Sequence, residues 1–135
     1  MGDNMEYDIL VFGDSIVYGA CDSKLGGWVN RLRLYLENNR QDDYTIFNMG
    51  IPGNTTMDVL KRFDKEMNLR YCVDDTQVII LAVGINDTQI INDENRVTID
   101  AFKKNVRKLI KKAKKYTDNV IYLGLTKVDE DKVRP

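Results

Sequence analysis

Histidine is absent from all 135 residues. Every mechanism in which this chain supplies an imidazole as base, proton shuttle or metal ligand is thereby excluded. Cysteine is scarce. Cys21 and Cys72 are the two present, too few for a disulfide framework and without the paired spacing of a metal site. Two reduced thiols fit a cytoplasmic location, which is the expectation here. Neither sign of charge dominates: twenty Lys and Arg against twenty-one Asp and Glu leave a formal net charge of −1. No global field therefore draws the chain to nucleic acid or to an anionic membrane, and neither is an expected partner. Long apolar runs are missing as well. The longest, Val78 to Val83, falls far short of the roughly 20 residues that cross a bilayer. Met1 to Asp8 is acidic and lacks the basic and apolar regions of a signal peptide.

What is present is ordinary for a soluble domain, 43% hydrophobic and 30% charged, and the length fits one domain over residues 1–135. Tyr7 to Phe12, closed by Gly13, reads as a buried strand. Gly27 to Leu36 repeats Trp28, Val29, Leu32, Tyr35 and Leu36 at helical spacing, with Asn38 and Asn39 to end the helix. Tyr44 to Asn48 is a second strand, followed by a loop punctuated by Gly50, Pro52 and Gly53. Thr55 or Thr56 caps a helix with Met57, Leu60, Phe63 and Met67 on one face. Val78 to Val83, ended by Gly84, is a third strand, and Val120 to Leu123 a fourth. Between them Thr98 to Tyr116 carries an apolar stripe of Ile99, Phe102, Val106, Leu109, Ile110 and Ala113. Its flanks are basic, from Lys103 to Lys115, and we read them as a solvated outer face. Alternating strands and helices, with strands apolar on both faces, predict parallel βαβ units in a three-layer α/β/α sandwich.

In such a sheet a ligand site lies outside the carboxyl ends of the strands. Three polar, glycine-bearing loops fall there, and they bring Ser15, Gly53 and Asn86 to one rim. Ser15 directly follows a strand and opens a helical turn. Its hydroxyl and its own N–H then face the same space. Gly53 offers a backbone N–H that no Cβ shields, and Asn86 a side-chain amide. A nucleophile with three donors is the arrangement that acyl transfer requires. Taken singly, each has a plainer reading: Asp14-Ser15 as a helix cap, Gly53 as a turn, Asn86-Asp87 as a cap or Asx-turn. Cys21 lies near the Ser15 loop without a readable base and is expected to be a partly buried thiol. Tyr7, Tyr18 and Trp28 are candidates to line an acyl pocket, with the core as the plainer reading of aromatics at these positions.

Three segments in order resemble the blocks of the GDSL, or SGNH, hydrolase family. Phe12-Gly13-Asp14-Ser15-Ile16 with Gly19 is similar to the first block, whose serine is the nucleophile. Asn48 to Thr56 is similar to the second, whose glycine supplies an oxyanion N–H; Gly53 fits that role best and Gly50 less well. Gly84-Ile85-Asn86-Asp87 resembles the third, in which the asparagine amide is a further donor. Gly26-Gly27-Trp28-Val29 resembles a helix start of bacterial esterase members. The resemblance implies a flavodoxin-like SGNH hydrolase fold and a serine ester hydrolase working through an acyl-enzyme. Ser15, Gly53 and Asn86 would be its site, with Asp14 and Asp87 in support.

The family's D-x-x-H block, which supplies the triad acid and base, is not found. Asp129 and Asp131 precede no histidine. The chain is therefore expected to correspond to the N-terminal part of such a hydrolase, C-terminally incomplete. By itself it should be inactive or very weak, because a serine hydroxyl without a base stays protonated. The alternative is a non-catalytic α/β module that binds a small ligand. No metal and no cofactor is expected; a flavin or nucleotide would need a richer glycine cradle than Gly-Asp-Ser-x-x-x-Gly. The expected partner is a small-molecule ester. The edge of the strand at 120–123 is also expected to pair two copies of the chain.

Overall fold

The computed structural model describes residues 5–39, 42–125, 127 and 129. Strand β1 (Glu6–Gly13) leads into a short helix α1 (Ser15–Tyr18) and then helix α2 (Gly27–Asn38). Strand β2 (Asp43–Gly50), helix α3 (Thr56–Arg70) and strand β3 (Thr76–Ala82) follow. A 3-10 turn at Ile85–Thr88 precedes a small hairpin, β4 (Ile90–Ile91) and β5 (Glu94–Asn95). Helix α4 (Ile99–Ala113) and strand β6 (Val120–Tyr122) complete the described chain.

The four longer strands form one parallel sheet in the order β2-β1-β3-β6. β1 lies between two neighbours and has a helical layer over each face. This is why its sequence is apolar without alternation. Successive side chains of a strand point to opposite faces. Leu10 and Phe12 accordingly enter one core, with Val59, Phe63 and Met67 of α3 and Leu109 and Ala113 of α4. Ile9 and Val11 enter the other, with Val17 of α1 and Val29 of α2. The Phe12 and Phe63 rings stack at 4.7 Å between centroids. Helices on both sides of a parallel sheet make the three-layer sandwich expected from the sequence.

The helices start where their caps dictate. Thr55 caps α3 in a capping box: its Oγ1 accepts from the Asp58 N–H at 3.3 Å, and Asp58 Oδ2 accepts from the Thr55 N–H at 2.9 Å. Thr98 Oγ1 accepts from the Ala101 N–H at 3.3 Å at the start of α4. Before α2 the cap position is Gly26, which has no side chain to offer, and Asp22 does the work from four residues earlier. Its carboxylate accepts from the N–H groups of Leu25 and Gly27 and from Arg31 Nη2, at 3.1, 3.0 and 2.8 Å. The Arg31 guanidinium and these N–H groups hold Asp22 down to about 2, from an ordinary 3.8. A depressed carboxyl contributes stability that is complete above its unfolded value and lost as pH falls through its folded one. The stability difference between the wild type and Asp22→Ala should thus be constant above about pH 5 and shrink progressively as pH falls toward about 1, as read by thermal melts across that range.

The β4–β5 hairpin was not visible in the sequence. Its two central residues, Asn92 and Asp93, both take positive φ, 52° and 63°. That is the signature of the tight turn that best matches strand twist. Strands of two residues are too short to show any periodicity. β2 and β6 are the outer strands of the sheet, and Ile121 on β6 is 45% exposed.

Candidate active site

The register Gly13↔Gly50 and Gly13↔Ala82 sets the carboxyl ends of β2, β1 and β3 level. The three loops that leave these ends share one rim, and Ser15, Gly53 and Asn86 belong to those loops.

Gly13 makes the sharp change from strand to helix. A Cβ there would stand 2.2 Å from Val17 Cγ2 and 2.5 Å from the Ala82 carbonyl oxygen. Asp14, which is buried, caps α1 with Oδ1 accepting from the Ile16 N–H at 2.9 Å. Burial pushes its carboxyl above the usual range; the backbone hydrogen bonds oppose this, and the Asp87 charge adds to it. Ser15, half-buried, is the first residue of α1. Its carbonyl accepts from the Gly19 N–H at 3.0 Å.

The loop after β2 is pinned to that turn. The Ile51 N–H donates to Gly13 O at 3.1 Å, and the Asn54 N–H donates to Ile51 O at 3.1 Å. With Pro52 second and Gly53 third at φ +81°, Ile51 to Asn54 has the pattern of a type II turn. Asn48 braces it from below: Nδ2 donates to Val17 O at 2.8 Å and Oδ1 accepts from the Gly50 N–H at 3.0 Å. The two glycines of this loop differ. A Cβ on Gly50 would lie 2.2 Å from Tyr18 N and 2.8 Å from Asp14 O, so the Ser15 turn occupies that space. Around a Cβ on Gly53 there is no heavy atom within 4 Å among the described residues. Gly50 is a packing residue, and Gly53 faces open space. Gly50→Ala should cost about 2 kcal/mol by forcing backbone apart. Gly53→Ala should cost about 1 kcal/mol, from its left-handed backbone alone. Urea titration of the two variants checks the order.

Asn86 and Asp87 lie in the 3-10 turn after β3, and both are buried. Asn86 Nδ2 donates to Asn54 O at 3.0 Å. One amide hydrogen is thus used to hold the loop that carries Gly53. Asp87 turns away from the rim and toward α3. Its carboxylate accepts from the Thr56 N–H at 2.9 Å and from the Thr56 hydroxyl. Asn105 Nδ2, on α4, donates to the same Thr56 Oγ1 at 3.1 Å.

The GDSL-like Lipase/Acylhydrolase family matches residues 11–133, which takes in all three loops. The chain belongs to this family. Solved structures agree in fold. AlinE4, described as a SGNH-hydrolase family esterase, superposes with a TM-score of 0.74 at 22% identity, over 93% of this chain and 61% of its own. TesA gives 0.76 at 22% identity, over 93% and 64%. The lipase/acylhydrolase from Enterococcus faecalis gives 0.66 at 27% identity, over 85% and 55%. The chain therefore spans less than two-thirds of the length of each of these relatives. No curated protein sequence matches it.

Other residues of this GDSL-like chain differ from expectation. Cys21 is exposed and not partly buried: it lies in the loop between α1 and α2, outside both helical layers, with φ 67°. Tyr18 is not core; it is 58% exposed. Tyr7 stacks on Tyr44 at 5.3 Å. Trp28 packs against the core of Ile9, Val11, Val17 and Val29 as expected, and its half-buried ring also helps to line a cleft of about 360 Å³ together with Asp14, Ile16, Val17, Val83 and Leu123. The cleft reaches the chain on either side of Ser15. Asp129 is exposed, and Asp131 lies outside the described residues. Among those residues no group of His, Cys, Asp and Glu is placed to hold a metal ion. No helix among them is long and apolar enough to cross a membrane.

One residue at the rim escaped the sequence reading. Arg62 of α3 sends its guanidinium, 15% exposed, under the loops. Nη2 donates to Gly13 O at 3.1 Å and to Met49 O at 2.8 Å, and Nε donates to Asn54 Oδ1 at 2.9 Å. Burial lowers its proton affinity, against the opposing charges of Glu66 and Asp58. A cation beside the apolar stripe of a helix reads from sequence as solvated, and nothing local marks this one as buried.

Proposed function

We propose that the chain carries the nucleophile and oxyanion hole of an ester hydrolase acting on a small-molecule ester. Ser15 Oγ attacks the ester carbonyl carbon. The oxyanion that forms accepts hydrogen bonds from the N–H groups of Ser15 and Gly53 and from the Asn86 amide. The alcohol then leaves with a proton, and an acyl-enzyme remains on Ser15. Water attacks the acyl carbon through a second tetrahedral intermediate and releases the acid. The observation that carries this reading is the hydrogen bonding between the three loops, Ile51 to Gly13 and Asn86 to Asn54. It makes one unit of them at level strand ends.

Attack requires a base for the Ser15 proton, and the 135 residues contain no histidine. Asp14 is committed to its cap, and Asp87 to Thr56. The base is therefore assigned to a group outside these residues, and the chain alone is expected to turn esters over weakly. Deacylation needs the same base. Because p-nitrophenolate leaves far more easily than a seryl alkoxide, buffer base suffices for the first step and not for the second, so prolonged incubation with p-nitrophenyl acetate should leave one acetyl group on the peptide containing Ser15, detected by mass spectrometry. An unmodified peptide after prolonged incubation would sink the acyl-enzyme reading. Reversible binding without acylation would favour the second reading, a ligand-binding module, which the lack of an imidazole supports. We also propose that two copies pair through the outer edge of β6; a monomer by light scattering at high concentration would refute that.

A further inference from the structure

Arg62 bonds to residues that flank two of the three rim loops directly and is linked to the third through Asn54. Gly13, whose carbonyl it binds, lies two residues before Ser15. Asn54, whose side-chain oxygen it binds, follows Gly53. The backbone oxygen of that same Asn54 accepts from the Asn86 amide. Met49, its remaining carbonyl partner, is the penultimate residue of β2, the strand from which the Gly53 loop departs. The guanidinium carbon also stands 5.9 Å from the Phe12 ring centroid, over the aromatic core beneath the rim. Its Nη1 is buried without a hydrogen-bond partner among the described residues and lies 3.8 Å from Glu66 Oε1. Arg62 fastens α3 to the sheet at the rim itself: its fork joins the last residue of β1 to the penultimate residue of β2 and to Asn54 in the loop that follows. A planar fork with donors at fixed angles can hold several acceptors at once, which a lysine ammonium on a flexible stem cannot.

We infer that Arg62 is a positioning residue of the oxyanion hole. Its guanidinium fixes the Ser15 and Gly53 loops to each other and, through Asn54, sets the Asn86 amide. The inference rests on the reading of Ser15 as nucleophile, and its consequence is geometric. Donors aimed at a developing oxyanion lose most of their effect when displaced by about an ångström, which costs up to about 10²-fold.

The test uses the 135-residue protein and phenylboronic acid. The Ser15 oxygen adds to boron, its proton passes to buffer, and the tetrahedral boronate places an oxygen where the oxyanion would sit. Boron NMR reports the adduct and its dissociation constant. Arg62→Met should weaken this affinity by about tenfold or more. Val59→Ala, a core variant on the same helix that also lowers the melting temperature, should leave it unchanged. Methylguanidinium should restore affinity to Arg62→Ala. Should Arg62→Met fail to fold, Arg62→Lys, which keeps the charge and loses the fork, carries the comparison. Wild-type affinity in the Arg62 variant, or an equal loss in Val59→Ala, overturns the inference. Equal binding by Ser15→Ala and wild type refutes the nucleophile reading, a separate result. Arg62 is then judged by amide exchange. The Asn54 N–H should exchange faster in Arg62→Met than in Val59→Ala, and equal rates overturn the inference.

Discussion

Wild-type protein and Ser15→Ala should hydrolyse p-nitrophenyl acetate at nearly equal, slow rates until imidazole is added; then only the wild type should respond beyond the reaction of imidazole in solution. Loss of the histidine from a serine hydrolase costs about 10⁶ in kcat, much the same as loss of the serine itself. The chain contains no histidine, so it stands on that floor already, and removing Ser15 takes little more away. Supplying the base in solution separates the two proteins. A positioned general base contributes about 10²–10⁴-fold. A diffusing one recovers part of this, and about tenfold over the Ser15→Ala control is the expected gain. The cleft of about 360 Å³ that reaches both sides of Ser15 is open enough to admit an imidazole. The rescued rate should rise with the neutral fraction of imidazole, since only that form takes a proton. Identical imidazole dependence in the two proteins would remove Ser15 from the mechanism. Fast wild-type turnover without imidazole would mean that the chain holds a base of its own, and the expectation of weak activity would fail.

The fold was legible because the sheet imposes its period on the sequence. β1 is central and covered on both faces, so residues 9 to 12 are all apolar, and β3 repeats the pattern. Apolar spacing gave the longer helices in the same way, with the start of α3 narrowed to Thr55 or Thr56 and found at Thr55. The rim was legible because strand ends can be located without knowing anything else, and polar residues there stand out. What stayed hidden depends on contacts between segments distant in sequence. Arg62 reaches Gly13, 49 residues away, and no local pattern encodes that reach. Asn105 is different. It lies between Phe102 and Leu109, within the apolar stripe of α4. A polar side chain at a stripe position signals a buried partner, which proves to be Thr56. The exposure of Cys21 has no local signature, because the loop that carries it is set by the close approach of Gly19 to Gly26 and Gly27.

Asp87→Ala should be the most destabilising single change at the rim, by about 4 kcal/mol, because it leaves two buried donors of Thr56 without an acceptor. The Thr56 N–H begins α3, where no backbone carbonyl is available to it. Asn105 already donates to Thr56 Oγ1, so the hydroxyl hydrogen has Asp87 as its acceptor in this network. Thr56→Val removes the hydroxyl and keeps the N–H. A cycle of Asp87→Ala, Thr56→Val and the double variant should therefore show coupling of about 1–2 kcal/mol, the part belonging to the hydroxyl. Asp87→Asn should cost less than Asp87→Ala, since the amide oxygen still accepts from the N–H while its NH₂ meets a hydroxyl that can rotate to accept. Because Asn86 precedes Asp87 in the same turn, loosening this anchor should also free the Asn86 amide. Acylation of Ser15 should then slow in Asp87→Ala even at a temperature where the variant remains folded. Additive effects in the cycle would show that the Thr56 hydroxyl and Asp87 are neighbours without a shared hydrogen bond.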